Sequence, residues 1–249
     1  MARRLFFAEL LKGAAGAPFQ AVVRGGEARH LARVLRARPG MQMELAAGGE
    51  RYLGTVASVT ADAVTFAGLE RRAVPTLSGP RLIAAIVKFD RFEWLLEKAA
   101  ELGVAAIQPL AAERTDPRLA RAAPARLERW RRILQAAAQQ SRRDQIPTVA
   151  LPVGWAELAL PPAAAAPPPH RWLLSEDPAD PPLACCPLPA TPGIVTLATG
   201  PEGGWTAGDR AAAAALGFTP CSLGPRILRA ETAAIAALSY LLVASSTAG

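Results

Sequence analysis

Two glycine-bearing stretches near the C-terminus hold the residue types best suited to receive a small ligand. The first, Ala198-Thr199-Gly200-Pro201-Glu202-Gly203-Gly204, leaves the apolar run Ile194-Val195-Thr196-Leu197. The second, from Leu223 through Gly224, Pro225, Arg226, Ile227, Leu228, Arg229, Ala230, Glu231 and Thr232 to Ala233, leaves Phe218 to Leu223. Glycine lets a backbone take positive φ and approach a ligand closely. Thr206, with Asp209 three residues on, then has the form of a capping box that starts a helix. Two such loops at the C-terminal ends of neighbouring strands make a crevice of the kind in which α/β sheets bind ligands. Neither G-x-x-x-x-G-K-[ST] nor G-x-G-x-x-G occurs, so a phosphate cradle and a dinucleotide fingerprint are both unsupported. The ligand is expected to be held by backbone groups and apolar contact.

Charged side chains cluster at the ends of other predicted elements. Lys88, Asp90 and Arg91 follow the apolar run Leu82 to Val87, and Glu113-Arg114 follows Val104 to Leu110. Arg142 and Arg143 end a helical stretch. Lys88 and Arg91 fit a site or a solvated helix start equally well. Glu231 opens a helix, where a carboxylate more often caps the helix or pairs with a neighbour such as Arg229 than serves as a base. Cys185, Cys186 and Cys221 are odd in number, and adjacent cysteines pair poorly. With only His30 and His170 besides, no set has zinc-ligand spacing, and Cys221 reads as a small buried hydrophobe.

A chain of 249 residues, 51% hydrophobic and 20% charged, has the length for two modest domains or one large one and the composition for a sizeable core. No apolar run is long enough to span a bilayer. Arg3-Arg4-Leu5-Phe6-Phe7 imitates the start of a signal peptide, but Glu9 and Lys12 interrupt it, so a cytoplasmic location is expected. The net charge of +7 is uneven. Basic residues outnumber acidic ones 11 to 6 over residues 1–72 and 9 to 4 over 113–144, balance 4 to 4 between them, and trail 4 to 7 from 145 onward. Among 28 basic residues only Lys12, Lys88 and Lys98 are lysines. Arginine chelates phosphate and stacks on bases, a bias that suits RNA and also a generic solvated surface.

The elements that position these residues change character along the chain. Residues 1–72 read as a β-rich unit, with alternating runs at Met41 to Leu45, Arg51 to Val59 and Ala63 to Leu69 and a Gly48-Gly49 turn. Before them Glu27 to Arg36 reads as a helix, with Leu31, Val34 and Leu35 on one side and Arg29, Arg33 and Arg36 towards another. Val74 to Pro80 has linker composition, so we expect domains over 1–73 and 74–249. From Leu82, strand and helix alternate, which predicts a mostly parallel sheet. Asp90 is expected to N-cap a helix with Glu93 at its third position, and that helix to stop at Gly103. A helix from about Pro124 carries Leu127, Trp130, Leu134, Ala137 and Ser141 on a core stripe, which makes Trp130 a packing residue. Pro161 to Pro169 and Pro178 to Pro192 read as loops, with a strand at Trp172 to Glu176 between them, and the last helix runs to about Val243.

The strings Thr199 to Gly204 and Leu223 to Ala233 resemble those of the RsmE-type methyltransferases of the SPOUT superfamily, which methylate N3 of a uridine in 16S ribosomal RNA. Further similarities are the Arg-plus-aromatic start, the helix led by His30, the Pro39-Gly40 turn, the Lys88 to Arg91 loop and Glu101 to Val104. Gln139-Gln140-Ser141-Arg142-Arg143 departs from the family pattern in one place, because Gln139 stands where a glutamate is usual. The resemblance implies an N-terminal PUA-like β-barrel and an α/β SPOUT domain with a deep trefoil knot. It implies S-adenosylmethionine as cofactor, held by Leu174, Ser175, Glu176, Ala198 to Gly204, Ser222, Leu223, Gly224, Ile227, Leu228, Thr232 and Ala233. It also implies a homodimer, with 16S ribosomal RNA of the small subunit as partner and no metal or membrane. RNA contacts are expected from Arg3, Arg4, His30, Arg33, Arg36, Lys88, Arg91, Arg114 and Arg142. N3 of uracil must lose a weakly acidic proton, so charge developing on the ring carbonyls needs stabilisation. Arg143, Arg226 and Arg229 are the candidates for that role. The rival readings are a SPOUT enzyme for another RNA site and a non-catalytic RNA-binding assembly factor.

Overall fold

A computed structural model describes residues 5–11, 20–47, 50–72, 79–143, 145–160, 169–187 and 195–246. Arg3, Arg4, the Gly48-Gly49 turn, most of the linker, most of the first proline-rich interval and the end of the second lie outside the described residues. The chain forms two compact units, Met1–Thr76 with Ala138–Ile146, and Leu77–Ala137 with Pro147–Gly249.

The first unit is a six-stranded sheet of β1 (Phe6–Phe7), β2 (Glu9–Leu11), β3 (Gln20–Arg24), β4 (Gln42–Ala47), β5 (Glu50–Val59) and β6 (Ala63–Arg72). Its order is β1-β4-β5-β6-β3-β2, antiparallel except at the short β1/β4 pair. The alternating runs form β4 to β6, and register shifts between Leu53 and Thr55 and between Val56 and Ser58 bend the longest pair. Helix α1 (Gly25–Arg33) starts earlier and ends sooner than its sequence pattern predicts. Leu31 and Ala28 join Phe6, Val23, Leu45, Val56, Val64 and Phe66 in the core. Val34 and Leu35 lie beyond the last turn and are exposed, so they do not share the face of Leu31.

Segment Ala138–Ile146 belongs to this unit and brings the variant position with it. Buried Gln139 donates its side-chain amide to the Glu27 carboxylate, and Arg51 donates to the carbonyl of Arg142 at 3.1 Å. A neutral amide at 139 thus meets a carboxylate from α1, where a second carboxylate would repel it. The first unit holds 13 basic against 7 acidic residues and the second 15 against 14, so nearly all the excess charge lies in the first.

The second unit is a sheet of β7 (Arg81–Ala85), β8 (Ala106–Leu110), β9 (Thr148–Val149), β10 (His170–Ser175), β11 (Val195–Thr199) and β12 (Thr219–Ser222), in the order β12-β10-β11-β7-β8-β9. Every pairing within it is parallel. Both faces of a parallel sheet must be covered, and its central strands are accordingly buried, β11 along its whole length and β7 from Leu82 onward. Helices α2 (Phe89–Glu101), α4 (Leu127–Gln140) and α6 (Ala230–Ser246) supply one cluster, in which Phe92 stacks on buried Trp130 with ring centroids 4.8 Å apart. Helix α5 (Ala207–Ala215), Trp155, Trp205 and Phe218 supply the other. Cys221 is buried and free, and burial pushes its thiol up to about 12.

Three expected boundaries move. Lys88, not Asp90, is the N-cap of α2; Asp90 sits in the first turn, and Glu93 instead takes Arg129 at 2.7 Å and Arg126 at 3.5 Å. The helix predicted from about Pro124 opens with a 3-10 turn at Ala123–Arg126 and continues as α4, and a short unpredicted helix, α3 (Pro117–Ala122), precedes it. Helix α6 extends to Ser246. Four of the nine arginines of the second basic block are paired locally, Arg118 with Asp116, Arg131 with Glu128, and Arg126 and Arg129 both with Glu93.

Candidate active site

A crevice opens at the C-terminal ends of β10, β11 and β12, the edge of a parallel sheet at which ligands bind. It is lined by Leu174, Ser175 and Glu176 after β10, by Thr199, Gly200, Pro201 and Gly204 after β11, and by Leu223, Arg226, Leu228, Ala230 and Ala233 after β12. The two glycine loops do not follow neighbouring strands as expected, because β10 lies between β11 and β12. Ser175 and Glu176 are therefore the middle of the crevice and not one edge.

Local hydrogen bonds explain the shape. The indole of Trp205 donates to the carbonyl of Leu174 at 2.9 Å and packs beneath Gly200, tying the β11 loop to β10. Thr199 donates its hydroxyl to the carbonyl of Ala230 at 3.1 Å, which fixes the start of α6 against β11. Arg210 reaches from α5 to the Ser175 hydroxyl at 2.6 Å and to Asp180 at 3.1 Å. The capping box forms as expected, with Thr206 as N-cap and Asp209 returning the bond. Buried Asp209 also accepts from the Trp155 indole at 2.9 Å and from the backbone N–H of Glu113 at 3.2 Å.

Positive φ falls at Gly204 (70°) and Gly224 (110°), not at Gly203. A Cβ at Gly204 would also overlap the Glu176 carboxylate. Of the expected cofactor residues, Ala198, Glu202, Gly203, Ser222, Gly224, Ile227 and Thr232 do not line the crevice, and Ile227 is 84% exposed. Ser222 shapes it from behind by accepting the N–H of Gly224 at 3.2 Å. Ala230, which is not among the expected cofactor residues, is part of the wall; an alanine carries no chemical signal by which it could be found.

The charged candidates separate. Arg226 lines the crevice, Arg229 is exposed at the start of α6, and Arg143 belongs to the first unit, where burial pushes its guanidinium pKa down. Glu231 is buried and pairs with Arg91 at 4.0 Å, not with Arg229; its second carboxylate oxygen has no hydrogen-bond partner among the described residues. Arg91 also pairs with Glu202, and Arg114 donates to the carbonyl of Gly203 at 2.6 Å. Lys88 is exposed beside them in sequence. His30, Arg33, Arg36 and Arg142 lie in the first unit, and Arg36 (φ 50°) and Arg142 (φ 58°) adopt left-handed backbone.

Residues 80–242 match the family model described as an RNA methyltransferase domain, which includes the whole crevice. A Mycobacterium bovis ribosomal RNA small subunit methyltransferase E is 32% identical over 91% of this chain and 87% of its own length. The chain belongs to the ribosomal RNA small subunit methyltransferase E family. A member from Synechocystis is 40% identical over 64% of this chain, and that match spans only 52% of the relative's length. The Neisseria gonorrhoeae family member, solved bound to S-adenosylmethionine, is 29% identical, with 98% of each chain covered and a TM-score of 0.79. The two loops at the β11 and β12 ends lie within the matched residues and contribute most of the crevice lining.

Proposed function

We propose that this protein transfers a methyl group from S-adenosylmethionine to N3 of a uridine in 16S ribosomal RNA of the small subunit. The observation that carries this reading is the crevice at the β10, β11 and β12 ends, in a family with a member solved bound to that cofactor. The lining fits the molecule. Leu174, Leu223 and Leu228 offer apolar surface for an adenine ring, and the glycine loops offer backbone donors and acceptors without intervening side chains. When bound, S-adenosylmethionine supplies an electrophilic methyl group on a sulfonium. Arg226, with Arg229 as the other candidate in this unit, stabilises the negative charge that spreads over the uracil carbonyls as N3 loses its proton.

In this reading the second unit is a SPOUT domain knotted where the chain passes through the β11 and β12 loops, supported by the β12-β10-β11 order. The first unit is read as a PUA-like barrel that contacts RNA, supported by its bent antiparallel sheet and its excess of basic residues. Homodimerisation is supported by exposed Leu242 and Val243 on α6. No helix among the described residues is long and apolar enough to cross a membrane, in keeping with a proposed cytoplasmic location.

Two measurements test the reading. Calorimetry with S-adenosylmethionine should show saturable binding that is lost in Gly204→Val. Mass-spectrometric mapping of 16S ribosomal RNA from a deletion strain should show one uridine lacking N3-methylation, and an unchanged methylation pattern would refute the assignment.

A further inference from the structure

Loop 200–204 meets the crevice through Gly200, Pro201 and Gly204, while Glu202 and Gly203 are not part of its lining. Those two consecutive residues are each held by an arginine from a different strand end. Arg91, at the start of α2 after β7, pairs with the Glu202 carboxylate. Arg114, after β8, donates to the Gly203 carbonyl at 2.6 Å, and its aliphatic stem lies along Gly203, with Cδ 3.3 Å from where a Cβ would stand. β7 is the sheet neighbour of β11 and β8 is the next strand out, so the loop is gripped from one side by the two adjoining strand ends.

We propose that Arg91 and Arg114 are positioning residues for the cofactor crevice, acting through Glu202 and the Gly203 carbonyl, and are not phosphate contacts. The inference rests on the reading of the crevice as a S-adenosylmethionine site. A loop with three glycines in five residues loses much conformational entropy when it orders around a ligand. Fixing it beforehand from its outer side moves that cost from binding to folding, which is how preorganisation raises affinity. Charge-assisted bonds such as these are the strong members of their class. Arg91 is further committed by buried Glu231, whose carboxylate it faces at 4.0 Å, so an RNA phosphate would have to displace it from two carboxylates at once. Gly203 earns its place here without needing positive φ: a side chain would press on the Arg114 stem.

The test uses the full chain. Since Arg91→Met would strip the cation from buried Glu231, Glu202→Ala and Arg114→Met are the variants that release the grip without touching the core. Each should weaken S-adenosylmethionine binding by calorimetry about tenfold, the scale of one lost charge-assisted bond. Arg114→Lys, which keeps the stem and a donor, should recover part of that loss. In ligand-free protein, amide hydrogen exchange at Gly203 and Gly204 should quicken in both variants. RNA affinity and its salt dependence should stay at wild-type values. Unchanged cofactor affinity and exchange would overturn the proposal, and so would a fall in RNA affinity with a salt slope reduced by about one, the mark of a lost phosphate contact. Failure of the wild-type protein to bind S-adenosylmethionine would instead remove the reading of the crevice, while the exchange experiment would still decide whether the two arginines order the loop.

Discussion

Gly203 and Gly204 are adjacent, yet the absence of a side chain serves a different end at each. Gly204 has φ 70°, a conformation that costs other residues roughly 1 kcal/mol or more, and a Cβ there would collide with Glu176 on the crevice wall. Gly204→Ala should therefore weaken cofactor binding by more than tenfold, while Gly203→Ala, which meets only a movable arginine stem, should weaken it less; equal losses by calorimetry would contradict this. A second residue-scale consequence lies at Gln139. Placing glutamate there sets two carboxylates against each other beside α1, which raises their folded-state pKa above the usual carboxylate value. The folded state then holds more protons than the unfolded one just above that value, so stability falls as pH rises through this window. We expect Gln139→Glu to lose about 1 to 2 kcal/mol at pH 7 and to approach wild type near pH 4, as read by denaturant unfolding. Cys221 gives a third pH effect. Its thiol, pushed up to about 12 by burial, stays protonated in the folded protein after the unfolded chain has ionised, so its contribution to stability declines above about pH 9. Alkylation should modify exposed Cys185 first and reach Cys221 only on unfolding. Of these features the loop glycines were legible in the sequence, because glycine clusters announce themselves. The partner of Gln139 lies 112 positions away, and no local pattern encodes such a pairing.

At the scale of elements, spacing located β4 to β6, β7, β8, β10, β11 and the helices between them, since hydrophobic period follows directly from strand and helix geometry. It did not disclose that β10 separates the two glycine loops, because strand order is set by long-range packing and leaves no mark within a strand. Nor did it show how charge is partitioned. The arginines of α3 and α4 looked like a second RNA-facing block, but Asp116, Glu93 and Glu128 take Arg118, Arg126, Arg129 and Arg131. Helix α1 and the turn after it differ, presenting exposed Arg29, Arg33 and Arg36 on a unit with 13 basic and 7 acidic residues. If this element provides the phosphate contacts, replacing all three with glutamine should lower RNA affinity and reduce the slope of log affinity against log salt by about two to three. Cofactor affinity should not change. The matching triple replacement of Arg118, Arg129 and Arg131 should alter both quantities far less, because those charges are already compensated; an equal effect from the two sets would show that local pairing does not decide which arginines bind RNA.

On the scale of the whole molecule, the excess positive charge belongs to one unit and the proposed methyl-transfer crevice to the other. A productive encounter must therefore satisfy two separate sets of contacts: phosphates for the first unit and a uridine presented to the second. Bare RNA can offer each set, but bringing them into one fixed arrangement costs conformational entropy that has to come out of the binding energy. An assembled small ribosomal subunit holds its phosphates and the target loop in a fixed relation before the enzyme arrives, so that cost has already been met by assembly. The same argument implies that the advantage resides in geometry and not in charge, since deproteinised RNA exposes more phosphate. We therefore expect initial methylation rates on small subunits, or on a late precursor of them, to exceed those on deproteinised RNA from the same particles at matched salt. The gap should persist as salt is raised, because added ions weaken the phosphate contacts of both substrates alike. Equal rates on particle and bare RNA would show that one unit alone selects the substrate, and a gap that closed with rising salt would assign the preference to electrostatics.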